Sequence, residues 1–198
     1  LLVLSTNLLT AILAALAIGS YVAVYTPLKY RTPAALIIGA VPGAAPPLLG
    51  WTAVTGSIEG PAVVLFAVLL VWQLPHFLAI ALYRKDEYAR AGIKVVPVVR
   101  GDAVAKIQAV AWALLLVPLT LMLVPMGAAG PIYLWGAGLL GAGFLGWSFT
   151  GLDNDAGTRW ARGYFFASIV YLPALTLALA TIALLENKSS KLAFATNA

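Results

Sequence analysis

Apolar residues in this chain neither alternate nor recur with a clean helical period; they run on in long blocks. Stretches dominated by Leu, Ala, Val, Ile, Gly and aromatic residues occupy about 1–24, 34–54, 62–83, 103–125, 131–151 and 164–185. About 20 such residues in one helix span the ~30 Å hydrocarbon core of a bilayer while every backbone N–H and C=O is satisfied internally. The pattern predicts six transmembrane helices and an all-α polytopic membrane protein. Residues 1–185 read as one transmembrane domain, and 186–198, from Glu186 onward, as a polar C-terminal tail.

Composition sharpens the class. The chain is 62% hydrophobic and 10% charged, with a mean hydropathy of +0.96, whereas roughly 25% charged is usual for soluble domains. A soluble globular fold is excluded. No cysteine is present, so these residues support no disulfide or thiolate–metal chemistry. The net charge of +5 needs no nucleic-acid partner, because its placement has a topological account. Lys29 and Arg31 lie in the predicted loop 25–33, Arg84, Lys85, Arg90, Lys94 and Arg100 in 84–102, and Arg159 and Arg162 in 152–163. The intervening turns 55–61 and 126–130 carry no Lys or Arg. The three basic loops therefore share a side, and the positive-inside rule makes that side cytoplasmic. Both ends of the chain then face outward. Leu1 is not a start methionine and the opening apolar run has no basic n-region, so it does not read as a signal peptide. The expectation is a fragment with further helices upstream.

Polar groups within the apolar blocks mark the candidate chemistry, since an ionisable residue at membrane depth is expensive and read by default as functional. His76, the single histidine, sits one residue after Pro75 in a block without formal charge. Gln73, His76, Tyr83 and then Glu87 are spaced to form one helical stripe toward the charged loop, with Trp72 beside them. In the first block Tyr21, Tyr25 and Lys29 follow at i, i+4, i+8, while Asn7 lies deep and needs a partner. The second block, with Gly39, Gly43, Pro46, Pro47 and Gly50, suits either a tight helix seam or a cavity wall. His76 is open to two readings, a hydrogen-bonded structural residue or a group handling haem or protons. A transporter, channel or structural subunit also remains open at this level, although no duplicated half with matching broken helices is visible.

Several motifs together carry a resemblance. WQLPHF (72–77), RKDEYARAGI (84–93), VVPVVRG (95–101), the long run VYTPLKYRTPAALIIGAVPGAAPPLLGWTAVTG (24–56) and SIVYLP (168–173) follow one another along nearly all of 1–185. They resemble the haem O synthases, protohaem IX farnesyltransferases of the UbiA prenyltransferase superfamily. The resemblance implies that the six helices are similar to helices four to nine of a nine-helix bundle. The first aspartate-rich motif, Asn-x-x-x-Asp-x-x-x-Asp, would belong to the three preceding helices, and a fragment without it is expected to be inactive alone. It further implies transfer of a farnesyl group from farnesyl diphosphate to a vinyl group of haem B, which is a substrate here and not a prosthetic group.

By that resemblance Asp86, Glu87, Tyr88 and Lys94 are the catalytic candidates, with Asp86 and Glu87 as ligands of Mg²⁺. Lys29, Arg31 and Arg100 would hold the diphosphate, and His76, Gln73, Tyr25, Trp72, Tyr83 and Asn7 would line the haem and prenyl pocket. The chemistry suits these residue types: ionising an allylic diphosphate puts charge on oxygens that cations stabilise, and an aromatic chamber shields the carbocation. This chain departs from the family pattern at Lys94-Val95-Val96, at Tyr30 and at Tyr88, where other branches have a second aspartate. The implied setting is the bacterial inner membrane, or the mitochondrial inner membrane in a eukaryote. The implied partners are the lipid bilayer and either haem A synthase or the cytochrome oxidase assembly machinery. A sister enzyme acting on a quinone or chlorophyll precursor is the alternative.

Overall fold

The computed structural model describes residues 5–153 and 155–196. Among these, six helices are long and apolar enough to cross a membrane: Leu8–Leu28, Ala35–Thr55, Gly60–Tyr83, Asp102–Leu121, Pro131–Thr150 and Thr158–Thr181. They are called the first to sixth spans below. The chain is an integral membrane protein whose secondary structure among the described residues is entirely helical.

The third span is the hub. It packs against the second, fourth and sixth, while the fifth closes on the fourth and sixth, and the first is held by the second. Small residues make this possible. Ala105, Ala109 and Ala113 are fully buried at i, i+4, i+8 along the fourth span, so the backbones of neighbouring helices approach closely where lipid offers no hydrophobic drive for association. Larger side chains fill the remaining space, with Leu74, Leu78, Leu116, Tyr133 and Tyr164 completely covered. Tyr133 donates its hydroxyl to the Thr120 carbonyl at 3.0 Å, which ties the fifth span to the fourth.

Several boundaries differ from the sequence expectation. The first span starts at Leu8 because Asn7 caps it: the Asn7 Oδ1 accepts from the Thr10 N–H at 2.9 Å, satisfying one of the unpaired donors of a helix start. Asn7 therefore does not lie deep. It sits at the end opposite the basic loops and donates Nδ2 to the Thr52 carbonyl at 2.7 Å, while the Thr10 hydroxyl meets the Thr52 hydroxyl at 2.9 Å. At its other end the span runs beyond the expected limit at residue 24 and continues to Leu28, through a π-helical turn at Tyr21–Tyr25. A proline ring crowds the carbonyl four residues before it. The wider π turn, closed by the Thr26 N–H on the Tyr21 carbonyl, makes room for Pro27 and lets the chain stay helical.

The second span breaks in the middle, into Ala35–Gly43 and Ala45–Thr55, where Pro46 and Pro47 cannot donate to the preceding turn. The fourth ends at Leu121 instead of 125, three residues after Pro118. The sixth begins at Thr158, taking Arg159 and Arg162 into its first turns with both side chains exposed. Its helix runs on through most of the expected polar tail to Thr196, and residues 197–198 lie outside the described residues.

The three basic loops gather at one end of the bundle, as the charge pattern predicted. The Lys94 N–H donates to the Lys29 carbonyl at 3.0 Å, joining the loop after the third span to the end of the first. Lys106 Nζ donates to the Asp153 carbonyl at 3.3 Å, which brings the third basic loop alongside.

Candidate functional site

A cavity of about 350 Å³ opens among the first three spans and the loop that follows the third. Its wall begins at the π-helical turn, an element often found at functional sites because it re-aims side chains that a regular helix would point elsewhere. Here it places Tyr21 and Tyr25 side by side, ring centroids 5.0 Å apart, on the cavity. One helical turn later Lys29 reaches the mouth, its Nζ 6.0 Å from the Tyr25 ring centroid and 5.2 Å from that of Tyr30. Facing them, Gly39 and Gly43 of the second span leave room that a side chain would take. A Cβ on Gly39 would lie 2.5 Å from the Tyr25 ring, and one on Gly43 would collide with Gln73 Oε1. The two glycines are one turn apart, so a single strip of bare backbone seats both the ring and the carboxamide.

Gln73 is 6% exposed and is anchored through its nitrogen. Nε2 donates to the Leu69 carbonyl at 3.1 Å and to the Ala40 carbonyl at 3.3 Å, just before the break in the second span. Both amide protons are thereby used. Oε1 accepts nothing among the described residues and lies against Gly43 in the cavity lining.

The far side of the mouth is built by the loop. The short helix Lys85–Arg90 closes with Gly92 at φ +68°, the Gly92 N–H bonding to the Ala89 carbonyl at 3.1 Å and the Ile93 N–H to the Tyr88 carbonyl at 3.0 Å. This left-handed closure reverses the chain and turns Tyr88, Ile93 and Lys94 inward to line the cavity. Burial raises the Tyr88 phenol above its ordinary range, so it stays protonated at neutral pH and can donate. No atom lies within 4 Å of a Cβ built on Gly92, so Gly92→Ala is expected to cost only the left-handed backbone term, about 1 kcal/mol. The test is tryptic cleavage at Arg90 and Lys94 in the folded protein: cleavage should rise about fivefold. An unchanged rate would show that the loop does not depend on this turn.

The expected site residues are thus only partly together. Lys29, Lys94, Tyr25, Gln73 and Tyr88 share the cavity, with Tyr21 and Phe77 as additions. His76, Trp72 and Tyr83 turn to the sixth span instead. Trp72 Nε1 donates to the Ser168 carbonyl at 2.9 Å, and His76 Nδ1 is 2.7 Å from the Ser168 hydroxyl. Trp72 stacks on His76 at 4.9 Å between centroids, Phe165 lies 4.9 Å away on a tilt, and Tyr83 meets the edge of Phe165 at 5.8 Å. The expected stripe from Gln73 to Glu87 splits because the second and sixth spans pack on different sides of the third, and a three-residue step leaves Gln73 and His76 about 60° apart around the helix axis. The Ser168 hydroxyl already donates to the Phe165 carbonyl at 2.6 Å, so its one proton is spent. With that proton directed at Phe165, His76 Nδ1 is the donor to Ser168 and the lone pair of the uncharged ring is on Nε2.

The acidic candidates face solvent. Glu87 pairs with Arg84 at 2.5 Å and Asp102 with Lys85 at 2.8 Å, and the hydrogen bond from Arg84 to Glu87 raises the guanidinium further above its ordinary value. Asp86 is exposed and has no ion-pair partner among the described residues. Neither Asp86 nor Glu87 lines the cavity, and among the described residues no three His, Cys, Asp or Glu side chains cluster as a metal cage. Arg31 is exposed outside the cavity, and Arg100 lines a different groove.

Comparison with known proteins gives a consistent result. The model of the UbiA prenyltransferase family matches residues 1–170. The protoheme IX farnesyltransferase of Sorangium cellulosum is 54% identical over 178 residues, which cover 90% of this chain and 64% of that protein. The enzyme of the same name from Anaeromyxobacter sp. strain Fw109-5 is 49% identical over 90% of this chain and 60% of its own length. That of Myxococcus xanthus is 49% identical over 90% and 61% respectively. The chain therefore spans about three-fifths of the length of these curated relatives. No solved structure matches it.

Proposed function

This chain belongs to the UbiA prenyltransferase family, and from that premise we propose that it serves a protohaem IX farnesyltransferase, carrying the diphosphate-facing mouth and one wall of the prenyl chamber. One observation carries the reading: two ammonium groups, Lys29 and Lys94, frame the mouth of a cavity whose body is aromatic and apolar. That division of polarity matches an isoprenoid diphosphate, charged at one end and hydrocarbon along the rest. The relatives named protoheme IX farnesyltransferase support farnesyl as the donor group and haem B as the acceptor.

In this mechanism the C1–O bond of farnesyl diphosphate breaks heterolytically and the diphosphate leaves with the electron pair. Charge grows on its oxygens as the bond lengthens, and Lys29 and Lys94 are placed to stabilise it where it develops. The protonated Tyr88 phenol adds a donor at the same mouth. Tyr21 and Tyr25 present ring faces toward the allylic cation, a stabilisation worth about 0.5–2 kcal/mol depending on desolvation. A vinyl carbon of the porphyrin attacks C1, and water captures the resulting cation and loses a proton to the departed diphosphate or to solvent, leaving a hydroxyethylfarnesyl group. Mg²⁺ bound to the diphosphate would neutralise part of its charge, but Asp86 and Glu87 lie outside this cavity and do not fit as its ligands there, so no step is routed through the metal. The porphyrin vinyl group must reach C1 at the cavity, and His76, on the neighbouring face of the third span toward the sixth, is proposed as a residue that orients the porphyrin. The basic-loop end is assigned to the cytoplasm by the positive-inside rule, in a bacterial inner membrane, with haem A and oxidase assembly as the downstream setting.

The decisive assay supplies the full-length protein in liposomes with labelled farnesyl diphosphate and, in parallel, haem B, a quinone precursor and a chlorophyll precursor. Label is expected in the porphyrin alone. Label in either of the other acceptors, with none in haem, would overturn the proposal in favour of a sister prenyltransferase.

A further inference from the structure

A second groove, of about 240 Å³, runs between the second and fourth spans at the basic-loop end. Its polar lining is spare. Arg100, Gln108 and Trp112 contribute the heteroatoms, and Leu36, Ile37 and Ala111 supply much of the apolar wall. Arg100 follows the short helix Val96–Val99 and precedes the fourth span, which starts at Asp102. It therefore sits at the level where the bundle leaves the hydrocarbon. Gln108 lies six residues into that span, a depth of about 9 Å at 1.5 Å per residue, and Trp112 is one turn deeper on the same side.

None of these polar groups is used by another described residue. Arg100 is exposed and makes no ion pair among them, and the nearest acidic residue in sequence, Asp102, is committed to Lys85 at 2.8 Å. The Gln108 carboxamide and the Trp112 indole N–H have no hydrogen-bond partner among the described residues, whereas Trp72 and Gln73 in the third span both have theirs. An unpartnered carboxamide facing hydrocarbon costs free energy unless a ligand supplies the bond. Ile37 is 44% exposed beside it, so the groove continues into lipid-facing apolar surface.

We propose that this groove binds one anionic glycerophospholipid. Its phosphate pairs with the Arg100 guanidinium at the surface, its ester carbonyls accept from Gln108 and Trp112 below, and an acyl chain lies against Ile37. The order of groups along the groove, cation, then hydrogen-bond donors, then hydrocarbon, is the order of groups along such a lipid. A zwitterionic lipid carries its own ammonium beside the phosphate and so gains less from Arg100. Leu36 and Val96 stand as the wall between this groove and the cavity that holds Lys29 and Lys94, so the two sites take different ligands.

The test uses the full-length protein in phosphatidylcholine vesicles containing increasing phosphatidylglycerol brominated near its ester carbonyls. Bromine quenches nearby indoles, and the Trp112 signal is the difference between the parent and Trp112→Phe. Trp112 is expected to be quenched at low phosphatidylglycerol. Arg100→Gln should need about fivefold more for half-quenching, Gln108→Leu should weaken quenching too, and Arg100→Lys, which keeps the charge, should retain most of it. Coincident curves for the parent and Arg100→Gln would overturn the site. Equal quenching by brominated phosphatidylcholine would reduce it to ordinary boundary lipid, and loss of quenching in excess inorganic phosphate would make it a phosphate site only; either result overturns the proposal.

Discussion

Replacing Lys29 and Lys94 together by Gln is expected to slow farnesyl transfer by at least about 100-fold, with most of the loss in kcat. A single preorganised group aimed at charge that develops in the transition state is worth about 10²–10³ in rate. Both ammonium groups line the mouth of the cavity, and neither is neutralised by a carboxylate, since the ion pairs among the described residues are Arg84–Glu87 and Lys85–Asp102. Their positions are set by backbone as well as by side chains. The Lys94 N–H bond to the Lys29 carbonyl at 3.0 Å survives the substitution, so Gln keeps the mouth closed and removes charge. Arg31 is the control: it is equally basic and near in sequence, but it lies outside the cavity. Arg31→Gln should leave kcat within about twofold, an effect below about 0.5 kcal/mol. The measurement is steady-state haem O formation by the full-length protein against farnesyl diphosphate concentration. A Lys29/Lys94 double variant with a parental kcat would remove the diphosphate from this mouth.

The second large effect concerns His76. His76→Ala is expected to cut haem O formation at least about tenfold, or about 1.4 kcal/mol of transition-state stabilisation, through haem and not through farnesyl diphosphate. Two neighbours prepare the ring for this. Trp72 stacks on it at 4.9 Å, fixing its plane, and the Ser168 hydroxyl, 2.6 Å from the Phe165 carbonyl, is positioned to accept from Nδ1. Nε2 is left as the acceptor. Ser168→Ala therefore separates orientation from presence: the imidazole remains but the tautomer is released, and an intermediate loss in haem affinity should follow, with the KM for farnesyl diphosphate unchanged. If His76→Ala turns over at the parental rate and only the melting temperature falls, His76 is a hydrogen-bonded tie between the third and sixth spans.

Much of the architecture was legible because bilayer solvation imposes one solution on a long apolar run. The six blocks became six spans, and the basic loops came to one end, because helix count and charge asymmetry are one-dimensional properties. Span ends were less legible. The π-helical turn at Tyr21–Tyr25 carries the first span to Leu28, and the Asn7 cap delays its start to Leu8. Both depend on which backbone group finds which partner, and block hydropathy is insensitive to that. The glycines at 39 and 43 were visible as small residues, but the sequence left open whether they form a seam or a cavity wall. The structure makes them the seat of the Tyr25 ring and the Gln73 amide.

From the sequence alone came the membrane class, the number of spans, the clustering of cations at one end and, through ordered motifs, the family. Those follow from residue types and their spacing along a line. Tertiary structure alone decided how the polar residues divide between faces. It placed Gln73 on the cavity and His76 on the sixth span although both project from one turn of the third. It also engaged Glu87 with Arg84 and set His76 Nδ1 against the Ser168 hydroxyl. The physical reason is that a residue's neighbours in a helical bundle come from other helices. Packing angle and the hydrogen bonds already spent by each partner set which groups remain free to act.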